Sequence, residues 1–101
     1  MNKIVGIFEA GGFTQKDYDD IMEGLQKTGG ANHPNRLSHV SFPKGNNWCV
    51  IDVWDSPEAF MQFAQQRLVP IFTKLGLTPL EPQIFPVHNF IGAGKEAMAA
   101  H

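Results

Sequence analysis

A histidine and a carboxylate face each other across a hairpin in this chain. The segment Arg36-Leu-Ser-His-Val-Ser-Phe-Pro-Lys-Gly-Asn-Asn-Trp-Cys-Val-Ile-Asp-Val-Trp54 carries the turn pair Gly45-Asn46 between two runs of strand formers. With those two residues as the loop, His39 lies opposite Asp52. Alternation along a strand then puts Leu37, His39, Ser41, Trp48, Val50, Asp52 and Trp54 on one face, and Val40, Phe42, Cys49, Ile51 and Val53 on the other. An imidazole oriented by a carboxylate is the arrangement of a general base, because the carboxylate fixes one tautomer and stabilises the protonated ring. The plainer reading is a cross-strand pair in which two half-buried polar groups satisfy each other. No nucleophile joins the cluster except Ser41, a hydrogen-bonding group on the same face, so acyl transfer is not expected.

Other residues are weighed against that pair. His88 shares a strand face with Ile84, Pro86 and Phe90, which brings it toward the mouth of any pocket. Two His and one Asp can hold iron or zinc, but no spacing here imposes that geometry, and no metal is expected. Trp48 and Trp54 read as pocket or interface wall, with Phe8 and Leu37 beside them. Tyr18 heads an apolar helical stripe; its hydroxyl is within range of the pocket edge, but core is the preferred reading. His33 precedes Pro34 in a polar loop and His101 is terminal, so neither is assigned a role. Asp17, Asp19 and Asp20 fall in the early turns of a helix, where its dipole favours negative charge.

Composition removes several function classes. The 101 residues suit one domain, expected over 1–91 with a small-residue tail at 92–101. Net charge is −2 with eight Lys and Arg scattered along the chain, so no basic stripe exists to neutralise nucleic-acid phosphates. The one cysteine, Cys49, excludes an intrachain disulfide and a cysteine-rich zinc site. No apolar run approaches the roughly 18 residues that cross a bilayer, and the N-terminal residues lack a signal peptide's features. A cytoplasmic protein with no membrane partner is expected.

The elements that position the pair follow from patterning. Lys3 to Ala10 reads as a strand closed by Gly11-Gly12. Thr14 caps a helix over about Gln15 to Lys27, with Asp17 completing a capping box. After the hairpin, Ser56-Pro57-Glu58 opens a second helix that ends at Gly76, with Pro70 predicting a kink or two consecutive helices. Gln83 to Ile91 reads as a last strand, confined to an edge by Pro86. The order βαββαβ predicts an α+β, ferredoxin-like fold: a four-stranded antiparallel sheet with two helices on one face. The aliphatic Val40/Ile51 face is expected beneath the helices. The face with Trp48 and Trp54 would then be bare, so a homodimer is expected to close a barrel over it, enclosing His39, Ser41 and Asp52.

The chain resembles the dimeric α+β barrel superfamily, which holds the antibiotic-biosynthesis monooxygenase-like domains. The likeness rests on Gly-Phe-Thr-Gln-Lys-Asp-Tyr-Asp (12–19), Leu-Ser-His-Val (37–40), Ile-Asp-Val-Trp-Asp-Ser-Pro-Glu-Ala-Phe-Met-Gln-Phe (51–63) and Pro-Val-His-Asn (86–89), and reaches to about Ile91. It implies the barrel dimer and, among several chemistries, cofactor-free oxygenation, haem degradation or isomerisation. Trp54, His39, His88 and Asn89 do not align position by position with the oxygenase or haem patterns. The expectation is therefore a homodimer binding a small hydrophobic or aromatic molecule, with His39 as base, Asp52 orienting it, Trp54, Phe8, Ser41, Leu37 and His88 around the ligand, and no cofactor. The alternative is a non-catalytic dimer that binds a metabolite or packs its cavity shut.

Overall fold

The structure is a computed structural model, and it describes residues 2–29 and 32–92. The expected tail therefore lies outside the described residues from 93 onward. Four strands and two helical stretches follow in the order β1 (Ile4–Gly11), α1 (Gln15–Lys27), β2 (Arg36–Lys44), β3 (Asn47–Trp54), α2 (Pro57–Phe63), a π turn (Ala64–Leu68), α3 (Val69–Lys74) and β4 (Gln83–Pro86). The strands form one antiparallel sheet in the order β2-β3-β1-β4. This is the ferredoxin-like α+β arrangement.

Local chemistry sets the boundaries. The Thr14 hydroxyl accepts from the Asp17 N–H, and the Asp17 carboxylate accepts from the Thr14 N–H at 3.0 Å, so both orphan donors at the head of α1 are satisfied. Ser56 caps α2 by accepting from the Ala59 N–H, with Pro57 in its first turn. Pro70 is accommodated by the π turn just before it, where the Val69 N–H reaches back to Ala64 O. The wider turn relieves the clash between the proline ring and the preceding turn, giving two consecutive helices. β4 stops at Pro86, shorter than expected, with the Val87 N–H bonding Lys3 O as the last rung. It is an edge strand, as the proline requires.

The helices cover the opposite face of the sheet from the one expected. Ile4, Gly6, Phe8 and Ala10 of β1 share a face with Trp54, Asp52, Val50 and Trp48 of β3, and Phe60, Phe63, Ile21, Leu25, Ile71 and Phe72 pack onto it. Trp54 is wholly buried, with Phe60 and Phe63 at 5.5 and 5.3 Å between ring centroids. Gly6 decides this packing: a Cβ there would stand 2.9 Å from the tip of the Phe60 ring. Only a bare backbone lets that ring lie against the sheet. The aliphatic face is the bare one, with Val40 51% and Phe85 48% exposed. Cys49 on that face is nevertheless a buried free thiol.

The expected dimer-enclosed site is therefore corrected. His39 and Asp52 face the inside of their own domain, beneath α1. The sequence misleads here because both faces of the hairpin are apolar, and periodicity separates two faces without saying which meets the helices.

Candidate functional site

β2 and β3 pair with His39 opposite Asp52, as the turn predicts. His39 Nδ1 lies 2.5 Å from Asp52 Oδ1, and the carboxylate is almost fully buried. A carboxylate only accepts, so Nδ1 carries the proton and Nε2 of a neutral ring is an acceptor. Its partner comes from α1: the Tyr18 hydroxyl donates to Nε2 across 2.6 Å, its ring stacked on the imidazole at 16°. Asp52 Oδ2 faces the Trp54 indole N–H at a long 3.5 Å. The groups form one chain, Tyr18–His39–Asp52, with Trp54 behind it.

This chain sits in the wall of a cavity of about 70 Å³ between the sheet and the helices. Phe8, Phe13, Ile21, Leu25, Val50 and Phe72 make its wall largely apolar, and Tyr18, Arg36, His39, Trp48 and Asp52 supply polar atoms. About 10–15 Å³ holds one water by this kind of measure, so the space admits a compact molecule of a few heavy atoms. Low polarity around a hydrogen-bonded imidazole strengthens each electrostatic contact it makes.

The expected residues divide by position. His39, Asp52 and Phe8 line the cavity together. Trp54 does not: it is core, and reaches the site only through Asp52. Ser41 lies on the helix side of the edge strand, half-buried and away from the cavity lining. Leu37 is displaced by a β-bulge between Arg36 and Ser38, which breaks strict alternation. Leu37 is 37% exposed as a result, and Arg36 lines the cavity in its place, with its guanidinium 5.8 Å from the Phe63 ring centroid. His88 is exposed beyond the end of β4, away from the cavity lining. His33, assigned no role, packs its ring 4.8 Å from that of Trp54.

The cavity also holds Tyr18, which patterning assigns to the core, and Arg36, to which it assigns no role. For Tyr18 a signal existed, since a buried phenol needs a partner for its hydroxyl. For Arg36 there was none, because a bulge leaves no mark in this segment's composition. Among the described residues, no group of three His, Cys, Asp or Glu is placed to hold a metal ion, and no helix is long and apolar enough to cross a membrane.

With this geometry in place, two solved structures bear on the chain. One is a variant of SnoaB, a cofactor-independent oxygenase from Streptomyces nogalater, with a TM-score of 0.60 and 19% identity over 90% of this chain and 98% of that one. This chain shares the fold of that oxygenase. The second is a protein from Chloroflexus aurantiacus assigned as an antibiotic biosynthesis monooxygenase, with a TM-score of 0.56 and 21% identity over 92% of this chain and 98% of that one. No family model and no curated protein sequence matches this chain. The shared fold accounts for the sheet and the helices, at an identity that leaves the chemistry to this chain's own residues.

Proposed function

We propose that the protein is a homodimer in which each subunit binds a small hydrophobic or aromatic molecule in its own cavity and removes a proton from it without a cofactor. The observation that carries this reading is the Tyr18–His39–Asp52 chain ending in an apolar cavity. Tyr18 lines that space and already donates to Nε2. A substrate C–H beside the phenol gives its proton to the Tyr18 oxygen as Tyr18 passes its own to Nε2, and Asp52 stabilises the imidazolium. His39 is the base, Tyr18 the relay and Asp52 the orienting group. A resonance-stabilised carbanion remains. In an isomerase the proton returns at another carbon. In an oxygenase the carbanion combines with dioxygen, and a CH₂ group plus O₂ becomes a carbonyl plus water. The likeness to a cofactor-independent oxygenase favours the second course.

The bare sheet face supports the dimer. Val5, Ile7, Val40, Ile51, Val53 and Phe85 project there, half-buried or exposed. An apolar patch of this kind marks an interface. A second copy would cover it without touching the cavity. We place the protein in the cytoplasm, where its buried free thiol would stay reduced.

A second reading, a non-catalytic binding dimer, is favoured by the cavity's small size and by the occupied Nε2. The two separate on turnover. Oxygen uptake and product formation over a panel of small carbon acids should fall about 10²- to 10⁴-fold in His39→Ala. Full activity in that variant would remove His39 from the mechanism, and no turnover of any compound by the wild type would favour the binding dimer.

A further inference from the structure

Tyr18 is the one tyrosine of the chain. It is half-buried, its hydroxyl lies 2.6 Å from His39 Nε2, and its ring stacks on the imidazole at 16°. The other imidazole nitrogen is held by the Asp52 carboxylate, which is buried. A proton leaving the phenol therefore has an acceptor already in contact with it. The imidazolium that forms has its counter-charge already in place. This matters for electrons as well as protons. A phenol gives up an electron far more readily when its proton leaves too, because the product is a neutral phenoxyl radical and not a radical cation. Tyr18 also lines the cavity, so an oxidant held there reaches its ring.

We infer that Tyr18 is a one-electron donor, passing its proton to His39 and its electron to a peroxyl radical in the adjoining cavity. The oxidant rests on the oxygenase course proposed above. There the carbanion gives one electron to dioxygen, leaving a carbon radical and superoxide. A carbon radical that adds a further dioxygen instead of recombining becomes a peroxyl radical. In the donor step the peroxyl radical gains one electron and becomes a peroxide anion. Tyr18 loses that electron, its O–H bond breaks, and an N–H bond forms at His39 Nε2. The products are a peroxide anion, a neutral phenoxyl and an imidazolium, so charge and atoms balance. An ascorbate-class reductant returns the electron, and Nε2 returns the proton. The phenol thus quenches a radical that escapes productive oxygenation, before it attacks the cavity wall.

Flash-quenched tris(bipyridine)ruthenium(III) is the first oxidant, applied to the whole protein with no carbon acid present. A phenoxyl signal should form in the electron paramagnetic resonance spectrum and narrow when the protein carries ring-deuterated tyrosine. With one tyrosine in the chain, that signal is Tyr18's. Its rate of formation should not depend on buffer concentration, because the proton leaves to an internal base. His39→Gln keeps an acceptor for the hydroxyl but cannot take its proton, so the rate should fall about 10²-fold and become buffer-dependent. The wild-type buffer series stands even where that variant does not fold. A signal confined to tryptophan, a wild-type rate that rises with buffer, or an unchanged rate in folded His39→Gln would each overturn the inference. Alkylperoxyl radicals from a water-soluble azo initiator in air then replace the ruthenium. The same phenoxyl should appear, and its absence would overturn the peroxyl radical as the oxidant. Phenoxyl formation in a protein that oxygenates no carbon acid would sink the oxygenase reading and leave the donor. Oxygenation without a Tyr18 phenoxyl would sink the donor and leave the oxygenase.

Discussion

Tyr18, on the first helix, closes the free nitrogen of His39, on the second strand, with a 2.6 Å hydrogen bond. The contact spans 21 residues of sequence and ties the helix to the sheet at the cavity wall. It leaves the imidazole with no open position, so any proton that reaches His39 from the cavity passes through the phenol or displaces it.

Tyr18→Phe tests that relationship. It keeps the ring and its packing against Trp48 and removes the hydroxyl. Turnover should fall about 10²-fold with substrate binding nearly unchanged, the signature of a group that transfers a proton without holding the substrate. Steady-state kinetics reads this directly. A variant with full turnover would show that His39 meets the substrate unaided.

Asp52→Asn places an amide where Oδ1 and Oδ2 accept from His39 and Trp54. With the ring in its present tautomer, one side of that amide faces a donor with a donor. Stability should drop by about 1–3 kcal/mol, and catalysis should fall together with it as the imidazole loses its fixed tautomer. Urea denaturation and kinetics on one preparation separate the two effects.

Gly6→Ala drives a methyl group into the Phe60 ring. The ring is fully buried and packed against Phe8 and Trp54, so it has little room to retreat. A loss of about 1–3 kcal/mol is expected from overpacking, measured by denaturant titration.

The Glu9–Lys44–Asn47 cluster at the hairpin end sets an acid-side stability dependence. The hydrogen bond from Lys44, followed by that from Asn47, holds the Glu9 carboxyl below its ordinary range. A depressed acid contributes stability at and above the ordinary carboxylate range and loses it as pH falls through the lowered value. Lys44 is raised by the same hydrogen bond, so its share is present below the ordinary lysine range and is lost at higher pH. Glu9→Gln should flatten the acid limb of the stability profile. Since both groups are well exposed, the effect should be small and should shrink further in high salt.

Charge on the bare sheet face tests the proposed dimer. Val40→Asp and Ile51→Lys should yield monomers by light scattering while ligand binding persists, because the cavity is built within one chain. Loss of ligand binding on dissociation would tie the site to the partner after all.

Much of this architecture was legible in the residues. Thr14 with Asp17, Ser56 with Pro57, and Gly45-Asn46 gave both helix starts and the hairpin register, because caps and turns are local chemistry. His39 opposite Asp52 followed from that register alone. The face on which the helices lie did not, since it depends on Gly6 admitting Phe60 and on Trp54 needing a deep enclosure, both tertiary facts. Leu37 was misplaced for a related reason: one extra residue in a bulge turns Arg36 inward. Tyr18 could be assigned to the right helix face, but its partner on a strand 21 residues away is fixed only by packing.

The role of His39 turns on the direction of the hydrogen bonds around it. Long-range ¹H–¹⁵N spectra of the imidazole, recorded in the wild type and in Tyr18→Phe, address it most directly. A ring protonated at Nδ1 is expected, with an Nε2 resonance typical of an acceptor that shifts when the phenol hydroxyl is removed. A ring protonated at Nε2 and unaffected by Tyr18→Phe would contradict the relay and, with it, the role of His39 as the base.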